Sequence, residues 1–115
     1  MLAQVPPALL DQWLAGPAGA SNVLPLVLDV REPWEVAQAS VRAEGFELCC
    51  IPMGEIPSRL QELDPDRPTA CLCHHGARSM HVAAFLLNQG FETVANISGG
   101  IDAWSRERDP GVPRY

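Results

Sequence analysis

Short apolar runs alternate along this chain with segments in which apolar residues return every three or four positions. The runs are "LPLVLDV", apolar from Leu26 to Val30, "LCCIP" closed by Pro52, "TACLC", and "TVANI". Each is brief and almost wholly apolar, as a strand buried on both faces of a parallel sheet would be. The intervening segments have helical spacing. In "PPALLDQWLAGP", Leu10, Trp13 and Leu14 share a face, Pro7 suits the first turn and Gly16-Pro17 stops it. "PWEVAQA" starts a helix at Pro33, and "EIPSRLQEL" places Ile56, Leu60 and Leu63 on one side before "DPDRP" ends it. "MHVAAFLLNQG" carries a stripe of Met80, Ala83, Ala84 and Leu87, with Val82, Phe85 and Leu86 filling much of the rest. That distribution predicts a buried helix, closed by Gly90. "IDAWSRER" is a last short helix, and residues 40–47 fit neither period.

Strands alternating with helices predict an α/β domain, with a mostly parallel central sheet and helices on both faces. In such sheets ligands sit at the carboxyl ends of strands, where loops enter helices. At 115 residues the chain suits a single domain over 1–115, with a core at about 22–113. The formal net charge is -6, and the eight basic residues are all arginines without a cluster that would track nucleic acid or an anionic membrane. A small anion could still bind where backbone dipoles and one arginine make a local positive pocket. The N-terminal segment lacks the basic start, apolar run and cleavage site of a signal peptide, and no apolar run has membrane-spanning length. Cysteines at 49, 50, 71 and 73 do not space like a disulfide framework, so a cytoplasmic location is expected.

The chemistry concentrates in "CLCHHGARS", residues 71–79. Cys73 ends a predicted strand and a helix follows Arg78, so residues 74–78 must curl between them. A short loop containing Gly76 turns backbone N–H groups inward to form an anion-binding nest. The helix N-terminus and Arg78 add positive charge. A thiol so placed can ionise well below its ordinary pKa of about 8.5, which makes Cys73 the candidate nucleophile. Cys71 lies on the same side of the strand and, with Cys49 and Cys50, is expected to pack. "CLCHH" holds four nominal zinc ligands, but one strand cannot aim all of them at one ion, and no metal is expected. His74 and His75 belong to the loop or the pocket mouth. His81 belongs to the helix, facing solvent or packing, and adjacent residues seldom have the geometry of a Cys–His base pair.

Taken together, "LVLDVREPWEV", "IPMGEIPSRL", "CHHGARSMHVAAFLLNQGF" and "VANISGGIDAW" resemble the rhodanese-like sulfurtransferases, specifically the single-domain bacterial thiosulfate sulfurtransferase type. The resemblance implies a rhodanese-like three-layer fold and a sulfurtransferase that carries sulfane sulfur on Cys73 as a persulfide. The donor would be a small sulfur anion such as thiosulfate. The acceptor would be a thiol, a protein thiol included, or cyanide. His74, His75, Gly76, Ala77, Arg78 and Ser79 would form the substrate-binding loop. Asp29, Arg31, Gly99 and Gly100 would be structural support, and no cofactor would be required. Four residues separate Cys73 from Arg78, whereas related phosphatases use a loop one residue longer, so the cradle suits sulfur better than a phosphoryl group. A non-catalytic or sulfur-relay interaction module is the alternative on the same fold. "SVRAEGFELCC" departs from the connection common in relatives, which leaves the role of residues 40–50 and the acceptor open.

Overall fold

All four apolar runs become strands, and the N-terminal segment adds a fifth. The computed structural model describes residues 2–20 and 23–115. Its elements in chain order are β1 (Leu2–Val5), α1 (Leu10–Ala15), β2 (Leu26–Asp29), α2 (Pro33–Gln38), β3 (Glu47–Cys50), β4 (Thr69–Leu72), α3 (Ala77–Asn88), β5 (Val94–Ile97) and α4 (Gly100–Glu107). The strands form one sheet in the order β1-β5-β4-β2-β3, with every pairing parallel.

Side chains alternate across this sheet with period two and build two cores. Val27, Ala70, Leu72, Ala95 and Ile97 face Leu10 and Trp13 of α1 and Ile101 and Trp104 of α4. Leu26, Leu28, Cys71 and Val94 face Val82, Ala83 and Leu86 of α3, together with Ile56 and Leu63. Both faces are therefore covered, which is why β2, β4 and β5 are buried throughout and read as continuous apolar runs. Burial of each such Leu or Ile side chain contributes about 1.5–3 kcal/mol.

Four details depart from the sequence pattern. β1, "LAQV", is too short and too mixed to stand out; it forms because its backbone pairs with β5, Leu2 opposite Val94 and Val5 opposite Ile97. A core beginning near residue 22, which itself lies outside the described residues, leaves out this strand. The buried face of α3 is Ser79, Val82, Ala83 and Leu86, while Met80 and Ala84 are exposed. With apolar residues nearly all round, periodicity could not choose the face; the sheet does. The "EIPSRLQEL" segment forms 3₁₀ turns at Met53–Glu55 and Pro57–Glu62 instead of an α-helix, since Pro57 withholds an N–H, yet Ile56 and Leu63 point inward as the spacing requires. β3 lies at the sheet edge, so Cys50 is exposed and Cys49 only half-buried, contrary to a simple packing role for Cys50.

The connections at the centre of the sheet place the site. After β2 the chain turns toward the α1/α4 face, where Ala39 joins that core, and after β4 it turns to the opposite face as α3. Adjacent strands whose exits diverge leave a crevice at their carboxyl ends. Cys73 follows β4 at that point.

Candidate active site

Cys73 is 1% exposed, with its sulfur held under the loop that links β4 to α3. Gly76 donates its N–H to the Cys73 Sγ at 3.0 Å, and the Ser79 Oγ lies 3.2 Å from the same atom. Gly76 sits immediately before α3 with φ +105°, a left-handed conformation that favours glycine, and a Cβ there would press on the Gly99 N–H at 3.1 Å. The carbonyls of Cys73 and His74 point the other way. Ile101 and Asp102, in the first turn of α4, donate their N–H groups to the carbonyls of Cys73 and His74 at 2.8 and 3.1 Å. Gly100 makes this approach possible, because a Cβ there would collide with both carbonyls. Thus "SGG" lets α4 anchor the outer side of the loop, while the Gly76 N–H on the inner side is directed at the sulfur.

Behind the loop lies a charged network. Arg31, 1% exposed, grips the buried Asp29 carboxylate through Nε at 2.9 Å and Nη2 at 2.7 Å. The same guanidinium donates to the carbonyls of Glu35 and Ala39 and to the Tyr115 hydroxyl at 3.1, 2.7 and 3.0 Å, tying α2 and the C-terminal segment to β2. Tyr115 in turn donates its hydroxyl to Glu35 at 2.8 Å.

Arg78 faces Glu35. Its guanidinium makes a bidentate pair with that carboxylate at 2.6 and 2.8 Å, so its charge reaches the sulfur as half of an ion pair rather than as a free cation. Arg78 foremost, then the Glu32 N–H and the Tyr115 hydroxyl, hold the Glu35 carboxyl at about 2 despite its burial. Burial pushes the Tyr115 phenol up, which keeps it a proton donor. The pair clamps α2 to α3 across the crevice.

The His74 ring stacks on His75 at 3.9 Å and on Tyr115 at 4.0 Å with 6° between planes. Burial, and secondarily His75, lowers the His74 pKa, so its ring favours the neutral form. Its Nε2 is buried with no protein partner among the described residues. Ala77 opens α3 and is exposed. Cys71 is fully buried on the same side of β4 as Cys73, and burial pushes its thiol up to about 12, which leaves it inert. His81 is exposed on α3. No disulfide joins the four cysteines, and among the described residues no group of three or more His, Cys, Asp or Glu is placed to hold a metal.

Four participants escaped the sequence reading. Glu35 had a usable signal, since Glu32 and Glu35 stand at the spacing of a helix-start capping box, and the Glu35 side chain does accept the Glu32 N–H at 3.0 Å. Tyr115, Asn96, which bonds to Ser79 and the Gly76 carbonyl, and Gln4, which bonds to Asn96, had none, because tertiary pairing alone brings them to the loop.

Comparison with known proteins agrees with this geometry. The model of the Rhodanese-like domain matches residues 10–107. A "Sulfurtransferase" of Allochromatium vinosum is 40% identical over 87 residues, covering 76% of this chain and 78% of that protein. The "Rhodanese-like/PpiC domain-containing protein 12, chloroplastic" of Arabidopsis thaliana is 42% identical over 93 residues, 77% of this chain, which spans only 30% of that longer relative. The crystal structure of a rhodanese-related protein from Thermoplasma volcanium superposes with a TM-score of 0.74 at 28% identity, covering 98% of this chain and 99% of that one. A parallel sheet with the expected loop at its crevice, and a family match across most of the chain, place this protein in the rhodanese-like domain family.

Proposed function

We propose that this protein is a sulfurtransferase that carries sulfane sulfur on Cys73. The observation that carries the reading is the Gly76 N–H directed at the Cys73 Sγ from the start of the twelve-residue helix α3, where the helix dipole also favours an anion. In the first step the Cys73 thiolate attacks the outer sulfur of a donor such as thiosulfate. A sulfur–sulfur bond forms to Cys73, the donor's own sulfur–sulfur bond breaks, and sulfite leaves with its electron pair. The resulting persulfide anion rests in the loop formed by residues 74–79. An acceptor nucleophile, a thiolate or cyanide, then takes the terminal sulfur and returns Cys73 as thiolate. Each half-reaction balances without oxidant, reductant or cofactor, and the double displacement predicts ping-pong kinetics. The unpaired thiols suit a reducing compartment.

A relay role with a protein thiol as acceptor is the second reading. Trp34 after β2, Met53 after β3 and Met80 after β4 are 63%, 37% and 38% exposed on segments that leave the same end of the sheet as Cys73. Intact-mass measurement after thiosulfate and then cyanide tests the main proposal. A gain of one sulfur that cyanide removes, absent in Cys73→Ser, is expected. An unchanged mass, or a gain that survives Cys73→Ser, overturns it. Hydrolysis of an aryl phosphate instead would point to the phosphatase use of this loop.

A further inference from the structure

Asn96 of β5 takes no part in the proposed sulfur transfer, yet it is 3% exposed and its amide is fully engaged beside the sulfur. Its Nδ2 donates to the Gln4 Oε1 at 3.0 Å and to the Gly76 carbonyl at 3.3 Å. Two oxygen partners on that side fix the orientation of the amide, so Oδ1 must face Ser79. The Ser79 Oγ lies 2.5 Å from Asn96 Oδ1 and 3.2 Å from Cys73 Sγ. Ser79 has one proton for these two acceptors, and a carbonyl oxygen cannot donate. At the shorter distance the proton points to Asn96, and the sulfur faces the lone-pair side of the hydroxyl.

From this we infer that Asn96, braced by Gln4, is a positioning residue that turns the Ser79 proton away from Cys73. The inference deepens the sulfurtransferase reading and rests on Cys73 being the sulfur carrier. With Cys73 protonated, the chain runs from S–H to the Ser79 Oγ and from the Ser79 O–H to Asn96, an arrangement that supports the neutral thiol. With Cys73 anionic, the Gly76 N–H supports the sulfur and Ser79 withholds its proton, because redirecting it would strip a buried carbonyl of its partner. The anion stays less stabilised and so more nucleophilic. Among the described residues, Cys71 beneath it on β4 and Arg78 of α3, paired to Glu35 of α2, act electrostatically on Cys73, and the loop around it carries His74 and His75, with Tyr115 stacked on His74 and Asp102 of α4 acting on both histidines. Among the described residues the Ser79 hydroxyl and the Asn96 amide bond to each other, to Cys73, to Gln4 and to the Gly76 carbonyl, so none of these other groups is a hydrogen-bond partner of residue 96.

The test is the rate of iodoacetamide alkylation at Cys73 against pH, in a Cys49→Ser/Cys50→Ser background, for Asn96→Leu, Ser79→Ala and the double variant. Asn96→Leu keeps the approximate shape but removes the acceptor, so the Ser79 hydroxyl turns to the sulfur. Its pH midpoint is expected to fall by about one unit, the tenfold effect of one added hydrogen bond to an anion. Its plateau rate at high pH should drop about threefold, since thiolate nucleophilicity falls with basicity. In the Ser79→Ala background the Asn96→Leu change should move neither quantity. An unchanged or upward midpoint in folded Asn96→Leu, or the same downward shift without Ser79, overturns the inference. Should Asn96→Leu not fold, Asn96→Val, smaller and suited to a strand, carries the same expectations and the same refutation. Alkylation needs no sulfur donor. A failure of Asn96 to act is thereby read separately from a failure of thiosulfate to load Cys73.

Discussion

Replacing Glu35 by Gln tests whether the clamp between α2 and α3 is electrostatic. The carboxylate receives two Arg78 bonds, the Tyr115 hydroxyl and the Glu32 N–H, and its side chain is 4% exposed. Its pKa drops from 4.5 to about 2, led by the Arg78 guanidinium. At about 1.4 kcal/mol per tenfold, that drop corresponds to about 3–4 kcal/mol of stability at neutral pH. Because the folded-state value is depressed, this contribution is complete above the unfolded value near 4.5 and is lost as pH falls through about 2. Glu35→Gln keeps the shape and removes the charge. Arg78 is 33% exposed and can turn partly to water, so a loss of about 2–3 kcal/mol is expected at pH 7 rather than the larger cost of orphaning a fully buried cation. Urea unfolding of both proteins between pH 7 and pH 2 measures it. The gap between wild type and variant should shrink steadily below about pH 4.5 and close near pH 2. A gap that is constant across this range, or absent at pH 7, would refute the electrostatic account and leave only packing.

Two other outcomes follow from the loop and the cysteines. Gly100→Ala should cost about 2 kcal/mol or more and slow thiosulfate loading together, because its Cβ meets the Cys73 and His74 carbonyls at φ +60°; thermal melts and mass-detected loading of the same sample check this, and a variant as stable as wild type would show that α4 does not brace the loop. In native protein at pH 8, a disulfide reagent should label Cys50 readily and leave Cys71 unlabelled until denaturant is added, since Cys50 is exposed whereas Cys71 is buried with its thiol pushed up to about 12; labelling of native Cys71 at a rate near that of Cys50 would contradict the burial.

Much of this molecule was legible because its strands are buried on both faces. β2, β4 and β5 must be continuously apolar, and their ends are marked by charge, by the loop chemistry or by glycine, so the α/β class and the position of Cys73 at a strand exit followed from pattern alone. Cys73, Gly76 and Ser79 were also locally decided, since a tight strand-to-helix loop brings neighbours in sequence together whatever surrounds it. Other features depended on partners distant in the chain. "LAQV" is a strand only because β5 offers it an edge, and α3 buries Val82 and Leu86 rather than Met80 because the sheet selects one side of an almost uniformly apolar helix. In the sequence Arg78 reads as a free positive charge at the start of a helix. Its pairing with Glu35, 43 positions away, required the two helices to flank one crevice. The same holds for Tyr115 on His74 and for Asn96 and Gln4 behind Ser79. Nearest neighbours along the chain set the periodicities and the tight loop that carries Cys73, so both could be read before any tertiary contact was known. Which charges neutralise one another, and which acceptors the Ser79 hydroxyl meets, depended on folding, because those interactions reach just a few ångströms and join residues that are distant along the chain.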